Sequence, residues 1–599
     1  MGSDESIAHR LFIRHNAQQR NPAMIRPALV ASFVFSVLAC ASGWCLAAEA
    51  PDLVLHNGNV ITVDGKFSLQ QAIAVRGDRI AAVGKNDEVL KLKGDGTKVI
   101  DLKGQTLIPG LIDSHVHPSG AAMKEFDHEV PEMTSIADVL DYIGERAKKL
   151  GPGKWINVSQ VFITRLKERR YPTRQELDKV APENPVVFAT GPDASINTLA
   201  LKLSGIDKNF VVSGKGYIEK DERGEPTGIL RSCTRYIKSG ESGGKSASES
   251  DRRERLVDLF HAYNEVGLTS VIDRDCDSSS LDRYRGLLEA GRLTVRMATS
   301  QHVDTDGKLE NIEQNIRSIA ANPLTKGDSR LRIIGIKTYL DGGMLTGSAY
   351  MRQPWGVSEI YSIRDPEYKG VLFIPRERLL PIVKATIDSG LQFTAHSVGD
   401  GAVHQLLDVY EEINREKPIR DTRPSITHSN FMSKEAVEQA AKLGVVLDIQ
   451  PAWLYLDGQT LQLQFGYDRL RYFQPLKSIF EAGGIAGGGS DHMQKIGARR
   501  SINFYDPFLA MATTVRRLPR GMNKPLHPEE ALNREQMIKY YTINNAWIMR
   551  QEKDLGSLEV GKLADFVVLD TDLLTCPDEA IEKTKVVSTW LGGKMVYSR

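Results

Sequence analysis

From residue 52 to residue 84 the chain alternates apolar and polar positions in short stretches, DLVLHNGNVITVDGKFSLQQAIAVRGDRIAAVG, separated by Asn-Gly, Asp-Gly and Gly-Asp. These pairs suit tight turns, so the segment predicts antiparallel β-structure. The far C-terminus repeats the style in DLGSLEVGKLADFVVLD and VVSTWLGGKMVYSR. Each piece is too small to bury a core alone. Residues 51–105 and 553–599 are therefore expected to pair into one small β-sandwich domain. Residues 106–552 then form a domain inserted between them.

In that middle region the pattern changes to short runs of Val, Ile and Leu lying between amphipathic stretches. They are TLIPGLIDSHVH, GLTSVIDRD, LTVRMATSQH, RLRIIGIKTYLDG, LQFTAHSVGD, RPSITHSNF, GVVLDIQPAW and GGIAGGGSD. Strands covered by helices on both faces read as continuous apolar runs, and eight of them in alternation predict an α/β fold, the (β/α)8 TIM barrel. The intervening helices include SKEAVEQAAKLG, with Ser433 as N-cap and Gly444 at its end. Residues of about 120–260 are too many for one strand-to-helix connection. With a helix near 135–150 and strand-like WINVSQVF and PVVFATG, they predict an inserted α/β subdomain over the barrel mouth.

Residues 1–50 carry a third pattern. Arg10, Arg14, Arg20 and Arg26 precede the apolar and small-residue run ALVASFVFSVLACA, and Leu46-Ala47-Ala48 follows. A basic region, a short apolar core and a small-residue exit predict a secretory signal peptide, cleaved near Ala47 to Ala50, and export to a bacterial periplasm or the medium. The alternative is an uncleaved membrane anchor, because the run extended to Ala48 approaches a spanning length. Met24 is a second candidate start.

Composition narrows the function. The 599 residues hold 77 Lys+Arg against 76 Asp+Glu, a net charge of +1, with no long run of one sign. A nucleic-acid partner needs a concentrated basic footprint and is excluded; membrane contact is expected only if the N-terminal segment stays uncleaved. Beyond residue 50 only Cys233, Cys276 and Cys576 remain, with no paired spacing, so no disulfide scaffold is expected.

Chemistry gathers at the C-terminal ends of the apolar runs, where a barrel builds its active site. The first run ends in His115-Val116-His117. Residues two apart on a strand share a face, so both imidazoles point inward. The fourth run then reaches Lys337, the fifth His396, the sixth His428 and the eighth Asp491. Imidazoles with a carboxylate suit one or two Zn²⁺ ions, with Mn²⁺, Fe²⁺ or Co²⁺ as alternatives. Lys337 has two readings. It is either an ion-pair partner of Asp341 or, in a dry site, an amine that reacts with CO₂ to give a carbamate (N6-carboxylysine) able to bridge two metals.

LIPGLIDSHVHP, IKTYLDG, AHSVGDGAV, ITHSNF, VVLDIQPAW, GGGSD and LGSLEVGKLADFVVLD stand in the order of the amidohydrolase superfamily's signatures. The chain resembles that superfamily from about Asp52 to Arg599, and within it the YtcJ-like branch that includes N-substituted formamide deformylases. The resemblance implies His115 and His117 on a first metal, His396 and His428 on a second, carboxylated Lys337 bridging, and Asp491 completing the set. It also implies hydrolysis of an amide, N-acyl or N-formyl C–N bond by metal-bound hydroxide, with Asp491 as the catalytic general base. Two departures concern substrate choice: Gly191-Pro192-Asp193 stands where the branch usually has a histidine before Asn197, and Gly401 where it often has arginine.

Tyr339, Asp341, Asp400, Gln450, Trp453, Tyr455 and Asp457 lie beside these positions and are candidates to line the substrate pocket. Arg516 and Arg517 are placed either against a substrate carboxylate or at a solvated helix end. His404 and His492 read as helix or loop residues. The competing functions are a lactonase or esterase on the same centre, a one-metal deaminase, and a metal-free, non-catalytic binding protein. The deaminase expects a Glu shortly after the fifth-run histidine, where Gly399-Asp400 stands. A small-molecule substrate is expected throughout, and a homo-oligomer is compatible with the sequence.

Overall fold

The eight apolar runs become, in chain order, the eight parallel strands of a barrel: β1 (Leu111–Val116), β2 (Leu268–Cys276), β3 (Arg296–His302), β4 (Leu331–Tyr339), β5 (Gln392–Ser397), β6 (Ser425–His428), β7 (Val446–Ile449) and β8 (Ile485–Gly488). Each pairs with the next in parallel register. The computed structural model describes residues 49–159, 161–214 and 216–599. The signal or anchor expected at residues 1–50 lies, up to Ala48, outside the described residues. Among the described residues no helix is long and apolar enough to cross a membrane.

The ring closes beyond the end of β8. Asp491 N donates to His115 O at 2.8 Å, and His117 N donates to His492 O at 2.8 Å. Gly489 permits this approach, since a Cβ there would stand 2.7 Å from His115 Cβ. Closure therefore sets the loop carrying Asp491 directly against the strand carrying the two histidines.

The chain ends build two sheets. A four-stranded sheet holds Leu53–His56, Ala72–Arg76, Arg79–Gly84 and Lys98–Asp101. A six-stranded sheet joins Asn59–Ile61, Leu69–Gln70 and Thr106–Pro109 to the C-terminal Phe566–Leu569, Val586–Leu591 and Lys594–Ser598. Leu53, Val60, Ile73, Leu107, Phe566 and Trp590 share one buried core, so neither end is complete without the other. The expected boundary after residue 105 shifts: Thr106–Pro109 pairs antiparallel with Phe566–Leu569, and the barrel begins only at Leu111. The run TLIPGLIDSHVH thus contains two strands, one for each sheet.

Between β1 and β2 lies a five-stranded sheet of Ile156–Ser159, Val186–Ala189, Ala194–Ile196, Tyr217–Lys220 and Pro226–Arg231, with its own core around Trp155, Ile196, Leu201 and Leu230. The preceding helix, Ile136–Leu150, starts at a capping box of Ser135 and Asp138. Helix Glu249–Glu265, capped by Ser248, buries Phe260 and Tyr263 in the main barrel core. The inserted region accordingly ends near Ser248, before the expected residue 260. Cys276 and Cys576 are free thiols, and Cys233 is buried.

Candidate active site and metal centre

The strand ends converge on a cavity of about 570 Å³ lined by His117, Lys337, His396, His428 and Asp491 among others. His115, fully buried, meets them from β1. Its Nε2 lies 3.2 Å from His117 Nε2 and 3.4 Å from Asp491 Oδ1, and His117 Nε2 lies 3.2 Å from that oxygen. The His428 ring stacks on His115 at a centroid distance of 5.0 Å and meets His396 edge-on at 4.4 Å. Five of the six expected ligand positions thus line one cavity, and His115 is buried against them. The backbone pays for this arrangement locally: His428 (φ 82°) and Asp491 (φ 53°) adopt left-handed conformations that cost a non-glycine residue on the order of 1–3 kcal/mol.

The hydrogen-bond partners decide which ring nitrogens offer lone pairs. A carboxylate can only accept, so His115 Nδ1 donates to Asp448 Oδ2 at 3.1 Å and leaves Nε2 unprotonated. Gln450 directs its Nε2 to Asp448 Oδ1 at 3.1 Å, which turns its carbonyl Oε1 toward His428 Nδ1 at 2.8 Å. His428 therefore also keeps its proton on Nδ1. Asp448 sets both tautomers, and it is itself held by Ser114 Oγ at 2.6 Å and faces Arg274 Nε at 3.4 Å. His396 donates Nε2 to the carbonyl of Gly342 at 3.3 Å. Burial depresses the pKa of His115, of His428 and, to about 3, of His396, so these three rings are neutral. Burial acts the same way on His117, but the Asp491 carboxylate outweighs it and raises that pKa.

Lys337 is 1% exposed, with its Nζ 4.2 Å from the centroid of the Tyr339 ring. Among the described residues no carboxylate comes within ion-pair distance of it. The pairing with Asp341 does not form, because Asp341 accepts the backbone N–H groups of Tyr350, Val398 and Gly399 at 2.8–2.9 Å. Burial lowers the Lys337 pKa, against the opposing charges of Asp275 and Asp491, and so raises its share of neutral amine.

These groups fit a divalent cation. His115 Nε2, His117 Nε2 and Asp491 Oδ1 lie within 3.2–3.4 Å of one another, an N, N, O set that can share the His117 proton or give it up to a divalent cation. His115, His117 and Asp491 form the one His/Cys/Asp/Glu cluster among the described residues close enough to hold an ion directly.

The pocket candidates separate. Tyr339, Asp341 and Trp453 line the cavity, Trp453 with its ring 4.6 Å from His428. Gln450 is fully buried and acts on His428. Tyr455 lines a second cavity instead. Asp457 is buried in a pair with Arg165 at 2.8 Å, and Arg516 faces Glu582 at 3.6 Å, away from the ligands. Tyr455 and Asp457 leave the pocket because helix Pro451–Phe465 starts directly after Gln450 and turns successive side chains by about 100°, and Arg516 does so at the end of a separate helix, Pro507–Arg516. Arg517 is buried against the carbonyls of Phe473, Gln474 and Leu526. Asp400 takes the backbone N–H of Arg352, and His404 meets Ser433 Oγ at 3.0 Å. His492 accepts from Tyr263 Oη and clamps its own loop through the carbonyls of Gln494 and Lys495.

Sequence reasoning passed over three residues. Asp448 is two positions before Gln450 on β7, so strand alternation puts both on one face, a signal that was available. Asp275, at the end of β2, lines the cavity and joins Tyr339 Oη at 2.7 Å to His302 Nδ1 at 2.8 Å, and neither Asp275 nor His302 belongs to a motif. Burial opposes ionisation of Asp275, but His302, Lys337 and His117 hold its carboxyl well below the usual range.

The model of the amidohydrolase family matches residues 98–597, most of the chain. The chain belongs to the amidohydrolase family. As such it is a hydrolase acting on C–N bonds. This amidohydrolase is 29% identical over 561 residues to the N-substituted formamide deformylase of Arthrobacter pascens, covering 92% of this chain and 98% of that one. It is 24% identical to the putative amidohydrolase YtcJ of Bacillus subtilis, over 91% of this chain and 99% of the relative. In fold it is similar to an uncharacterized metal-dependent hydrolase from Pyrococcus horikoshii, with a TM-score of 0.63 at 22% identity, covering 88% of this chain and 99% of that one.

Proposed function

We propose that this amidohydrolase removes a short acyl group, formyl foremost, from a nitrogen that carries an apolar, uncharged substituent. The observation that carries this reading is the composition of the cavity wall. Away from the polar ligand positions it presents Phe162, Met344, Leu345, Phe373, Val398 and Trp453. Among the described residues it contains no arginine, and its single lysine is Lys337. A substrate carboxylate, as in an N-acyl amino acid, would find no cation there, whereas an alkyl or benzyl group would gain about 0.8 kcal/mol per buried CH₂. The name of the Arthrobacter relative agrees with this choice.

His115, His117 and Asp491 would hold a divalent metal, zinc in our reading, and His396 and His428 a second one, shared through Lys337 once that amine is carboxylated. Such a centre acidifies water to a pKa near 7 and polarises a carbonyl oxygen. The remaining work falls to the protein. Asp491 takes the proton of the attacking water on its carboxylate and delivers it to the departing nitrogen. Asn503 keeps that carboxylate in place, its Nδ2 lying 3.0 Å from Asp491 O and 3.4 Å from Oδ2. The apolar wall excludes bulk water and holds the N-substituent, so the scissile bond is presented in one orientation.

The test is a comparison of kcat/KM on the metal-reconstituted full chain. N-Benzylformamide should exceed N-formylphenylalanine and δ-valerolactone by at least tenfold. Faster turnover of the acidic amide would overturn the substrate reading, and faster turnover of the lactone would favour the lactonase.

A further inference from the structure

A second cavity, of about 380 Å³, adjoins the catalytic one, with Phe162 in both walls. It lies between the start of the inserted region and the loop that follows β8. Five cations line it, and three are committed to carboxylates: Arg165 to Asp457, Arg499 to Asp506, and Arg500 to Glu125 and Glu129. Two are not. Lys495, 6% exposed, donates its Nζ only to the backbone carbonyls of Val130 and Pro131, at 2.6 and 3.5 Å. Arg520 makes no side-chain hydrogen bond or ion pair among the described residues. Of the two carboxylates in the wall, Glu582 faces Arg516 at 3.6 Å and Glu132 is exposed. Ser501, 7% exposed, has a buried hydroxyl with no hydrogen-bond partner. Phe162, Tyr455 and Leu509 supply an apolar side.

We propose that this cavity is a binding site for a small organic carboxylate. Lys495, Arg520 and the Ser501 hydroxyl receive the anionic head, and the body lies against Phe162, Tyr455 and Leu509. Arg500 already faces two carboxylates and Glu132 is a third acid, so the wall is balanced in total charge, and the hydrogen-bond donors of Lys495, Arg520 and Ser501 suit a monoanion better than a phosphate dianion. A buried ammonium and a buried hydroxyl with hydrogen-bonding capacity to spare are costly unless a ligand or water uses it. The catalytic cavity offers the opposite chemistry, so the two sites divide anionic from neutral ligands across one phenylalanine.

The probe is 4-bromobenzoate, with 4-bromobenzamide as its neutral counterpart, titrated calorimetrically into the metal-loaded full chain. The proposal expects the acid to bind at least tenfold more tightly than the amide, and Arg520→Gln to weaken the acid at least tenfold. Lys495→Met should weaken it similarly. Because Lys495 is buried and its replacement can unfold the loop, exposed Arg520 is the deciding position. Bromine anomalous scattering from soaked crystals should place the ligand beside Lys495 and Ser501. Bromine found only in the catalytic cavity, or binding indifferent to Arg520→Gln, overturns the proposal.

Discussion

Asp448→Asn isolates the residue that sets the state of two candidate ligands. The substitution keeps the size of the side chain and removes its charge, so no cavity forms. Asp448 accepts from Ser114 Oγ at 2.6 Å, Gln450 Nε2 at 3.1 Å and His115 Nδ1 at 3.1 Å, and faces Arg274 at 3.4 Å. An amide has one accepting oxygen. Whichever way it turns, its NH₂ confronts a donor, either His115 and Arg274 or Gln450. His115 or His428 then loses its fixed Nδ1–H, and metal affinity should fall about 10–100-fold, the usual cost of losing such an orienting partner. Arg274, fully buried, also loses its counter-charge, which costs about 3 kcal/mol of stability, the lower end for a broken buried pair because 3.4 Å is a long contact. Chelator competition reads the first effect and denaturant unfolding the second. Arg274→Met separates them. It should destabilise the fold while leaving metal affinity within about threefold, because Asp448 keeps its other three partners. Asp448→Asn protein with unchanged metal affinity would refute the tautomer argument.

Three further outcomes are expected. Asp491→Asn should lower kcat by about 10²–10⁴, the range of a lost acid–base group, with metal still detected by elemental analysis; retained turnover would remove Asp491 from proton transfer. Arg231→Met should raise KM more than it lowers kcat and should destabilise the fold by about 3–5 kcal/mol, since buried Asp193, 3.5 Å away, would lose its counter-charge while the Thr346 loop in the cavity wall loses its anchor. A KM that stays at the wild-type value would place that pair outside substrate binding. Export, which we propose from the basic and apolar pattern of residues 1–50, predicts a mature N-terminus near Ala47 to Ala50 on sequencing of periplasmic protein, and an intact N-terminus in the membrane fraction would mean an anchor.

The barrel was readable because helices cover both faces of its strands, which makes each strand a continuous apolar run with its chemistry at one end. The split sandwich was readable from turn pairs at both termini, although TLIPG was assigned to the barrel: an apolar run does not show which of two sheets buries it. The six candidate ligands sit on or just beyond strands, where the period of two carries orientation. Tyr455 and Asp457 were misplaced because the chain turns helical at Pro451, so closeness to Gln450 in sequence no longer meant closeness to the cavity, and Arg516 ends a separate helix where it faces Glu582. Asp275 and His302 were invisible for another reason. Their partnership with Tyr339 spans the ends of three neighbouring strands, and only the parallel pairing of β2, β3 and β4 brings them together.

The central claim is that hydrolysis of a C–N bond depends on a divalent metal held by His115, His117 and Asp491, with Lys337, His396 and His428 completing the centre. Metal content measured alongside N-benzylformamide hydrolysis, before chelation, after it, and after return of Zn²⁺, tests that claim most directly. The account predicts one to two equivalents of metal per chain, loss of metal and turnover together, and recovery of both. Undiminished hydrolysis by the metal-stripped chain would contradict it.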